Sequence, residues 1–154
     1  MKIRKALLKD KEEIAAVHKA SIKTLCSSCY ENKIISGWVG ILTPDVYDNA
    51  INEKIMIVGE QNSKITGIGI LDIENREIGA VYIHPDFKGS GTGKRLLLEL
   101  EKLASQKNIC SIRLNSTLNA HGFYKKHGYR GESGSFHELP NGIRLECISM
   151  HKTL

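Results

Sequence analysis

Residues 77–98, EIGAVYIHPDFKGSGTGKRLLL, decide the fold: they read as a strand, a glycine-rich turn and the first turns of an amphipathic helix. Ile78, Ala80 and Tyr82 alternate with Gly79, Val81 and Ile83, and the run is apolar or small after Glu77, the pattern of a strand buried on both faces. Pro85 has no N–H to give and ends the ladder. Downstream, Leu96, Leu97, Leu100, Leu103 and Ala104 recur at helical spacing, which predicts one stripe facing a core. Between the two, Lys88-Gly89-Ser90-Gly91-Thr92-Gly93 sets three glycines at alternate positions, where the backbone can come within hydrogen-bonding distance of a ligand. The helix that follows leaves its first N–H groups unpaired at the positive end of its dipole. Together these make an anion cradle suited to phosphate. The dipole alone offers about 0.3–1 kcal/mol at an exposed site. Several amides and Lys88 or Lys94 must therefore converge to hold a nucleotide.

Two familiar phosphate loops fail on named residues. A Walker loop ending in Gly93-Lys94 needs Gly at 88 and a hydroxyl at 95, where the chain has Lys88 and Arg95. The dinucleotide fingerprint through Gly89 and Gly91 needs a small residue at 94, which is Lys. The stretch instead resembles motif A of the GNAT N-acetyltransferase superfamily, Arg/Gln-x-x-Gly-x-Gly/Ala after a strand that ends near a proline. Lys88-x-x-Gly91-x-Gly93 fits it except at the first position, where Lys stands for Arg or Gln. In that family the turn binds the pyrophosphate of acetyl-CoA.

The whole chain is compatible with that resemblance. Its 154 residues suggest one domain over 1–154 with room for a real core. A hydrophobic content of 41% and a charged content of 25% are those of an ordinary globular protein. The formal charge of +5 favours approach of a polyanion such as CoA, or of an acidic or nucleic-acid partner, but no basic run is long enough to call for nucleic acid. No stretch approaches the roughly 20 apolar residues of a membrane span. MKIRKALLKDKEE lacks a sustained apolar stretch and a cleavage site, so no signal peptide is expected. Four cysteines argue against a disulfide framework and for a reducing, cytoplasmic setting. A homodimer is left open.

Around the central stretch, Lys2 to Ala6 reads as a first strand, and Asp10 with Glu13 as a capping box. Ile14, Val17, Ile22 and Leu25 give the next helix one apolar face, with His18 beside it as a structural histidine. Cys26-x-x-Cys29 closes that helix; zinc needs two further ligands, and Cys110 and Cys147 are single and far apart, so no metal is expected. Tyr30, Ile34, Ile35 and Trp38 suggest a helix to Gly40, and Thr43-Pro44 a short one to Asn52. Lys54–Glu60 and Lys64–Ile73 read as a hairpin, and 109–114 as a strand after the long helix. Asn141-Gly142 separates two final strands.

Residues 115–129, NSTLNAHGFYKKHGY, form a helix pattern capped by Ser116 or Thr117 and stopped by Gly128. Phe123-Tyr124 followed by Gly128-Tyr129 resembles GNAT motif B. With motifs A and B in their usual order, the resemblance covers nearly the whole chain. It implies an α/β (α+β) GNAT acyl-CoA N-acyltransferase fold: a mixed, mostly antiparallel sheet of six to seven strands flanked by about four helices.

The resemblance further implies acetyl transfer from acetyl-CoA to a primary amine of a small molecule or peptide by direct attack, with CoA as product. A lysine-like amine has a pKa of about 10.4, so deprotonating it near neutrality costs roughly 4 kcal/mol. Glu77, eleven residues before Lys88, stands where several family members carry a glutamate acting through water, and partial burial would raise its pKa for that work; His84 and His121 are reserve bases. Tyr124 matches the family tyrosine near the CoA sulfur. A phenol is a weaker acid than a thiol, so a full proton transfer to a finished thiolate is uphill by about 2 kcal/mol; hydrogen-bonding the sulfur as charge develops is the safer role. The family's splayed strand corresponds to Val81, Tyr82 and Ile83, whose free amides would pair with pantetheine. Gly89, Ser90, Thr92 and Lys94 complete the turn's cofactor contacts, and Asn119 matches a CoA-binding asparagine, with Asn115 where the neighbouring strand ends. The segment holding Tyr30 and Trp38 commonly walls the acceptor site in this family; packing in the core is the competing role for Trp38. A CoA-binding regulatory module without turnover is the alternative.

Overall fold

A computed structural model describes all 154 residues, Met1–Leu154. Seven strands form one sheet: β1 (Lys2–Lys5), β2 (Ile55–Gln61), β3 (Lys64–Asp72), β4 (Glu77–Ile83), β5 (Ser111–Thr117), β6 (Arg130–Glu138) and β7 (Arg144–Thr153). Their spatial order is β1-β2-β3-β4-β5-β7-β6, and every neighbouring pair is antiparallel except β4 and β5. The parallel exception follows from the crossover helix between them, α4 (Thr92–Gln106), since parallel strands need a long connection. Four more helices complete the fold: α1 (Lys11–Leu25), α2 (Asn32–Gly40), α3 (Asp48–Glu53) and α5 (His121–Lys126). None is long and apolar enough to cross a membrane.

Two cores sit on opposite faces of the sheet. On one, Leu96, Leu97 and Leu100 of α4 are fully buried against Leu71, Ile78, Ile112 and Met150, each contributing roughly 1.5–3 kcal/mol of apolar transfer. Gly67 and Gly69 of β3 let that helix lie close, because a Cβ at either would come within 2.8 and 3.0 Å of Leu96 and Leu100 respectively. On the other face, Ile14 and Val17 of α1 pack with Val58, Ile68 and Tyr47. Trp38 of α2 joins Ile22, Cys26, Leu139 and Leu145 beside them.

The strand β4 departs from its expected alternation. Its register with β3 shifts between Ile70↔Ala80 and Leu71↔Ile78, so Gly79 is an extra residue in a β-bulge. The bulge flips the side-chain parity: Ile78 packs with Val81 and Ile83 on the α4 side, while Tyr82 meets Ile70 on the opposite face. Only Ile78 is fully buried, because β4 pairs with β5 at Glu77 and Ile78 alone and then stands apart. The strand is thus fully buried at one residue only, on the α4 face, and not along both faces as its sequence suggests.

Other local expectations shift for equally physical reasons. Asn62 and Ser63 form the predicted hairpin, both at positive φ (51° and 60°) as a two-residue primed turn requires. The capping box does not form. Asp10 accepts from Leu7 N–H at 2.8 Å and binds Arg4, while Glu13 reaches β3 to accept from Ile65 N–H at 2.7 Å. Strand β5 runs on to Thr117, three residues past its expected end, because β7 pairs with it along its whole length. Thr43-Pro44 opens a single 3-10 turn, Pro44–Tyr47, before α3.

Candidate active site

The glycine turn presents its amides in alternation. Lys88 N–H and Ser90 N–H bond back to Pro85 and Phe87 carbonyls at 3.0 and 3.1 Å, whereas Gly89 and Gly91 N–H have no backbone partner. Gly89 and Gly91 sit at φ +78° and +86°, the left-handed region, and a Cβ on either would meet no atom within 4 Å. Gly91 at the start of α4 has no side chain to cap it, and the first amide of the helix, Thr92 N–H, donates to Ser90 Oγ at 3.4 Å. Ser90 Oγ is held within the turn, donating to Phe87 O at 2.6 Å and lying 2.8 Å from Thr92 Oγ1. Lys88 and Lys94 are exposed at the rim. An anionic diphosphate fits this cradle: there is room outside the backbone, a row of unpaired donors and nearby positive charge.

Below the turn the sheet opens. His84 N–H donates to Thr66 O at 2.8 Å, and bonded residues alternate along an antiparallel ladder. Val81 and Ile83 therefore turn their N–H groups away from β3, toward the gap left where β4 parts from β5. Gly93 closes the top of this gap, its Cβ direction lying 3.6 Å from Phe123 and 3.8 Å from Ile83. Tyr124 follows from α5, buried to 6% exposure between Phe123 and Tyr129 at ring separations of 5.1 and 5.6 Å. Its hydroxyl makes no hydrogen bond within the protein, and burial raises its pKa well above the usual phenol range. Tyr129, by contrast, donates to Glu101 at 3.0 Å, and Lys152 binds the same carboxylate at 2.9 and 3.0 Å.

A cleft of about 230 Å³ opens on the α1–α2 side of the splay. Glu77, Ala80 and Tyr82 of β4 form one wall, and Asn115, Thr117 and Cys147 the other. Tyr30 and Trp38 cover it, with ring centroids 5.7 Å apart, and Trp38 stands edge-on to Tyr82 at 6.2 Å. Trp38 is thus both core, at 4% exposure, and cleft wall. Tyr30 is tied down as well as lining: its hydroxyl donates to Glu146 O at 2.6 Å and accepts from Leu118 N–H at 3.1 Å. Glu77 is half-buried and forms an ion pair with Arg113 Nε at 3.3 Å.

The sequence-nominated residues divide between these two places. Val81, Ile83, Gly89, Gly91, Gly93 and Tyr124 meet around the turn and the gap. Tyr82 and Asn115, nominated for the cofactor, line the cleft instead, and Asn115 Oδ1 accepts from Ser149 Oγ at 3.2 Å. Asn119 is exposed, its side chain beside the buried Cys26 thiol, which burial pushes up to about 12. His84 Nδ1 accepts from Asp86 N–H, and His121 Nε2 lies 3.0 Å from Gly131 O, so neither reserve base faces the cleft.

His18, expected as a structural histidine beside the apolar face of α1, is among the residues that line the cleft. It is buried, its ring lies 4.1 Å from that of Tyr82, its Nδ1 is 2.8 Å from Tyr47 Oη, and its Nε2 has no partner. Tyr47 lies 29 residues away, so no local pattern could have announced the pair. Leu139, Leu145 and Cys147 also enter the cleft from the last hairpin, where the sequence shows only a turn. A hollow of about 360 Å³, between Gly128, Arg130 and His151, lies at the opposite end of β7 and has no hydrophobic residue in its lining. No group of three or more His, Cys, Asp or Glu side chains could hold a metal ion.

Residues 11–154 match the acetyltransferase (GNAT) domain family. The spermidine N(1)-acetyltransferase of Thermoplasma acidophilum is 27% identical over 147 residues, covering 86% of this chain and 89% of that protein. Among solved structures, a GCN5-related N-acetyltransferase from Rhodopseudomonas palustris superposes with a TM-score of 0.92 at 25% identity, over 99% of this chain and 95% of that one. The PaiA N-acetyltransferase of T. acidophilum, solved in complex with coenzyme A, superposes at 0.79 with 24% identity, over 99% and 98%; that likeness bears on the fold alone.

Proposed function

This chain belongs to the acetyltransferase (GNAT) domain family, and on that premise we propose that it is one such domain, transferring an acetyl group from acetyl-CoA to a primary amine by direct attack. The observation that carries the reading is the opening of β4 from β5 beneath a glycine turn whose Gly89 and Gly91 amides have no backbone partner, with an unbonded tyrosine hydroxyl beside it. When bound, acetyl-CoA supplies the acetyl group as a thioester and leaves as the thiol.

The chain's own groups divide the work. Amides of Gly89, Gly91 and the first turn of α4 hold the pyrophosphate, with Lys88 and Lys94 adding charge. The outward N–H groups of Val81 and Ile83 guide the pantetheine arm and polarise the acetyl carbonyl. Glu77, on the cleft wall, takes the amine's proton through water, offsetting the roughly 4 kcal/mol that deprotonation costs near neutrality. Tyr124 donates to the sulfur as charge develops there. Trp38 and Tyr82 hold the body of the acceptor, Tyr30 covering it. Spermidine, the substrate in the relative's name, is one amine to try.

Thiol release from acetyl-CoA, with and without a pool of primary amines, tests this. Release that depends on amine, with acetylated amine detected by mass spectrometry, is expected. Tight acetyl-CoA binding with no release for any amine would instead identify a CoA-binding module without turnover.

A further inference from the structure

We infer that Tyr30 is a positioning residue for the transfer: its hydroxyl is inserted between β5 and β7 where the two strands part, and so fixes the segment from Leu118 to Tyr124. The inference rests on the acetyltransferase reading, which makes Tyr124 the donor to the sulfur. The pairing of β5 with β7 carries it. The last pair of that ladder is Thr117↔Cys147, so one further step in the same register sets Leu118 opposite Glu146. One step beyond the other end, Leu154 N–H donates to Cys110 O at 2.8 Å. Bonded pairs alternate along an antiparallel ladder, so Leu118 and Glu146 also fall at a bonded position. There the rung is not direct. Leu118 N–H donates to the Tyr30 hydroxyl at 3.1 Å, and that hydroxyl donates to Glu146 O at 2.6 Å. One side-chain hydroxyl thus stands in for one rung of the sheet.

The chain needs that hydroxyl where it leaves the sheet. Leu118 opens a 3-10 turn, Leu118–Ala120, and its N-cap Thr117 gives no side-chain bond. The first amides of a helical turn have no partner within it. Tyr30 supplies one from 88 residues away. It is itself held by the turn that closes α1, where the N–H groups of Cys29 and Tyr30 both donate to Cys26 O, at 3.0 and 3.2 Å. The Asn119 side chain lies beside the Cys26 thiol, a second contact between the same two segments. From Leu118 the chain runs through the 3-10 turn straight into α5 and reaches Tyr124 six residues on. Burial pushes the Tyr30 phenol up to about 12, so at neutral pH it keeps the proton it donates. The ring has a separate duty, covering the cleft with Trp38. Hydroxyl and ring can therefore be tested apart.

Tyr30→Phe keeps the ring and removes the hydroxyl. Amide hydrogen exchange followed by NMR should show Leu118 N–H protected in the wild type and exchanging about tenfold faster or more in the variant. The Tyr124 ring signal of tyrosine-labelled protein should move as well. In thiol release from acetyl-CoA with the primary-amine pool, kcat should fall about tenfold, since a misplaced donor costs rate. The half-saturating pool concentration should stay within about twofold, because the ring still covers the cleft. In a Tyr124→Phe background the same substitution should cost less than about twofold, the donor it positions being already gone. An unprotected Leu118 N–H in the wild type, an unmoved Tyr124 signal, an effect confined to half-saturation, or equal losses with and without the Tyr124 hydroxyl overturns the inference. Should Tyr30→Phe not fold, the wild-type protection of Leu118 decides whether the inserted rung exists. Full kcat in Tyr124→Phe alone removes the donor role and this inference with it. No thiol release with any amine removes the acetyltransferase reading, while Leu118 exchange and the Tyr124 signal still decide what holds the segment.

Discussion

Replacing Tyr124 by Phe isolates one hydroxyl. The ring sits edge-on to Phe123 and Tyr129, and both contacts survive in Phe. The hydroxyl has no hydrogen-bond partner in the protein, so its removal strands no group. Stability should therefore move by less than about 0.5 kcal/mol, or about 1–2 °C in Tm for a chain of this size. The catalytic cost comes from a different source. A donor aimed at developing negative charge in a water-poor site is worth about 1.5–3 kcal/mol, the range of hydrogen bonds to charged groups. That corresponds to a kcat lowered about ten- to 150-fold. The acetyl-CoA Kd should change less than about twofold, because the bond strengthens only as charge forms. Burial raises the phenol's pKa above its ordinary value near 10, so it stays protonated across the neutral and mildly alkaline range. The rate loss should then be the same at pH 7 and pH 9. Steady-state thiol release at both pH values, with calorimetry for the cofactor, measures every quantity. Full activity in the folded variant makes Tyr124 a packing residue; equal losses in kcat and affinity make it a binding contact; a loss confined to high pH refutes the argument that it acts as a neutral donor.

Three further predictions follow from the turn and from His18. Gly91→Asp should weaken acetyl-CoA binding well over tenfold, since it sets a carboxylate in the open space beside the α4 amides; Gly91→Asn, which tolerates φ +86° without the charge, should lose less. Unchanged calorimetric affinity in folded Gly91→Asp would remove the pyrophosphate from this turn. Lys88→Gln should alter affinity by less than about threefold, because Lys88 is an exposed rim charge and the backbone amides do most of the holding. His18 has a folded pKa of about 3 against about 6.5 unfolded, so between those values the unfolded chain binds more protons and stability falls as pH drops. Moving from pH 7 to 4.5 should cost the wild type about 2–3 kcal/mol more than His18→Phe; Asp10 and Asp72, whose pKa values are lowered by their own partners, titrate in both proteins and cancel. Parallel Tm curves for the two proteins across that range would contradict the burial of a neutral imidazole.

The sequence by itself determined whatever depends on neighbours along the chain. The leucine stripe of α4 is legible because helical spacing puts Leu96, Leu97 and Leu100 on one face. The hairpin is legible because the short polar connection Gln61-Asn62-Ser63 separates two strand-like runs, and the glycine turn because three glycines stand at alternate positions. Phe123-Tyr124 and Gly128-Tyr129 marked the second motif through their resemblance to the family's pattern. The tertiary structure decided everything that depends on which segments meet. One bulge at Gly79 reassigned Ile78 and Tyr82 to opposite faces, because a strand has period two and a single extra residue inverts it. The parting of β4 from β5 is set by pairing that stops after two residues, which no pattern within either strand encodes. His18 with Tyr47, Tyr30 with Glu146, and Glu77 with Arg113 join residues 29, 116 and 36 positions apart. The glycine turn was legible because it is one continuous local segment; the cleft was not, because its walls come from α1, α2, β4, β5 and the last hairpin, and only folding brings them together.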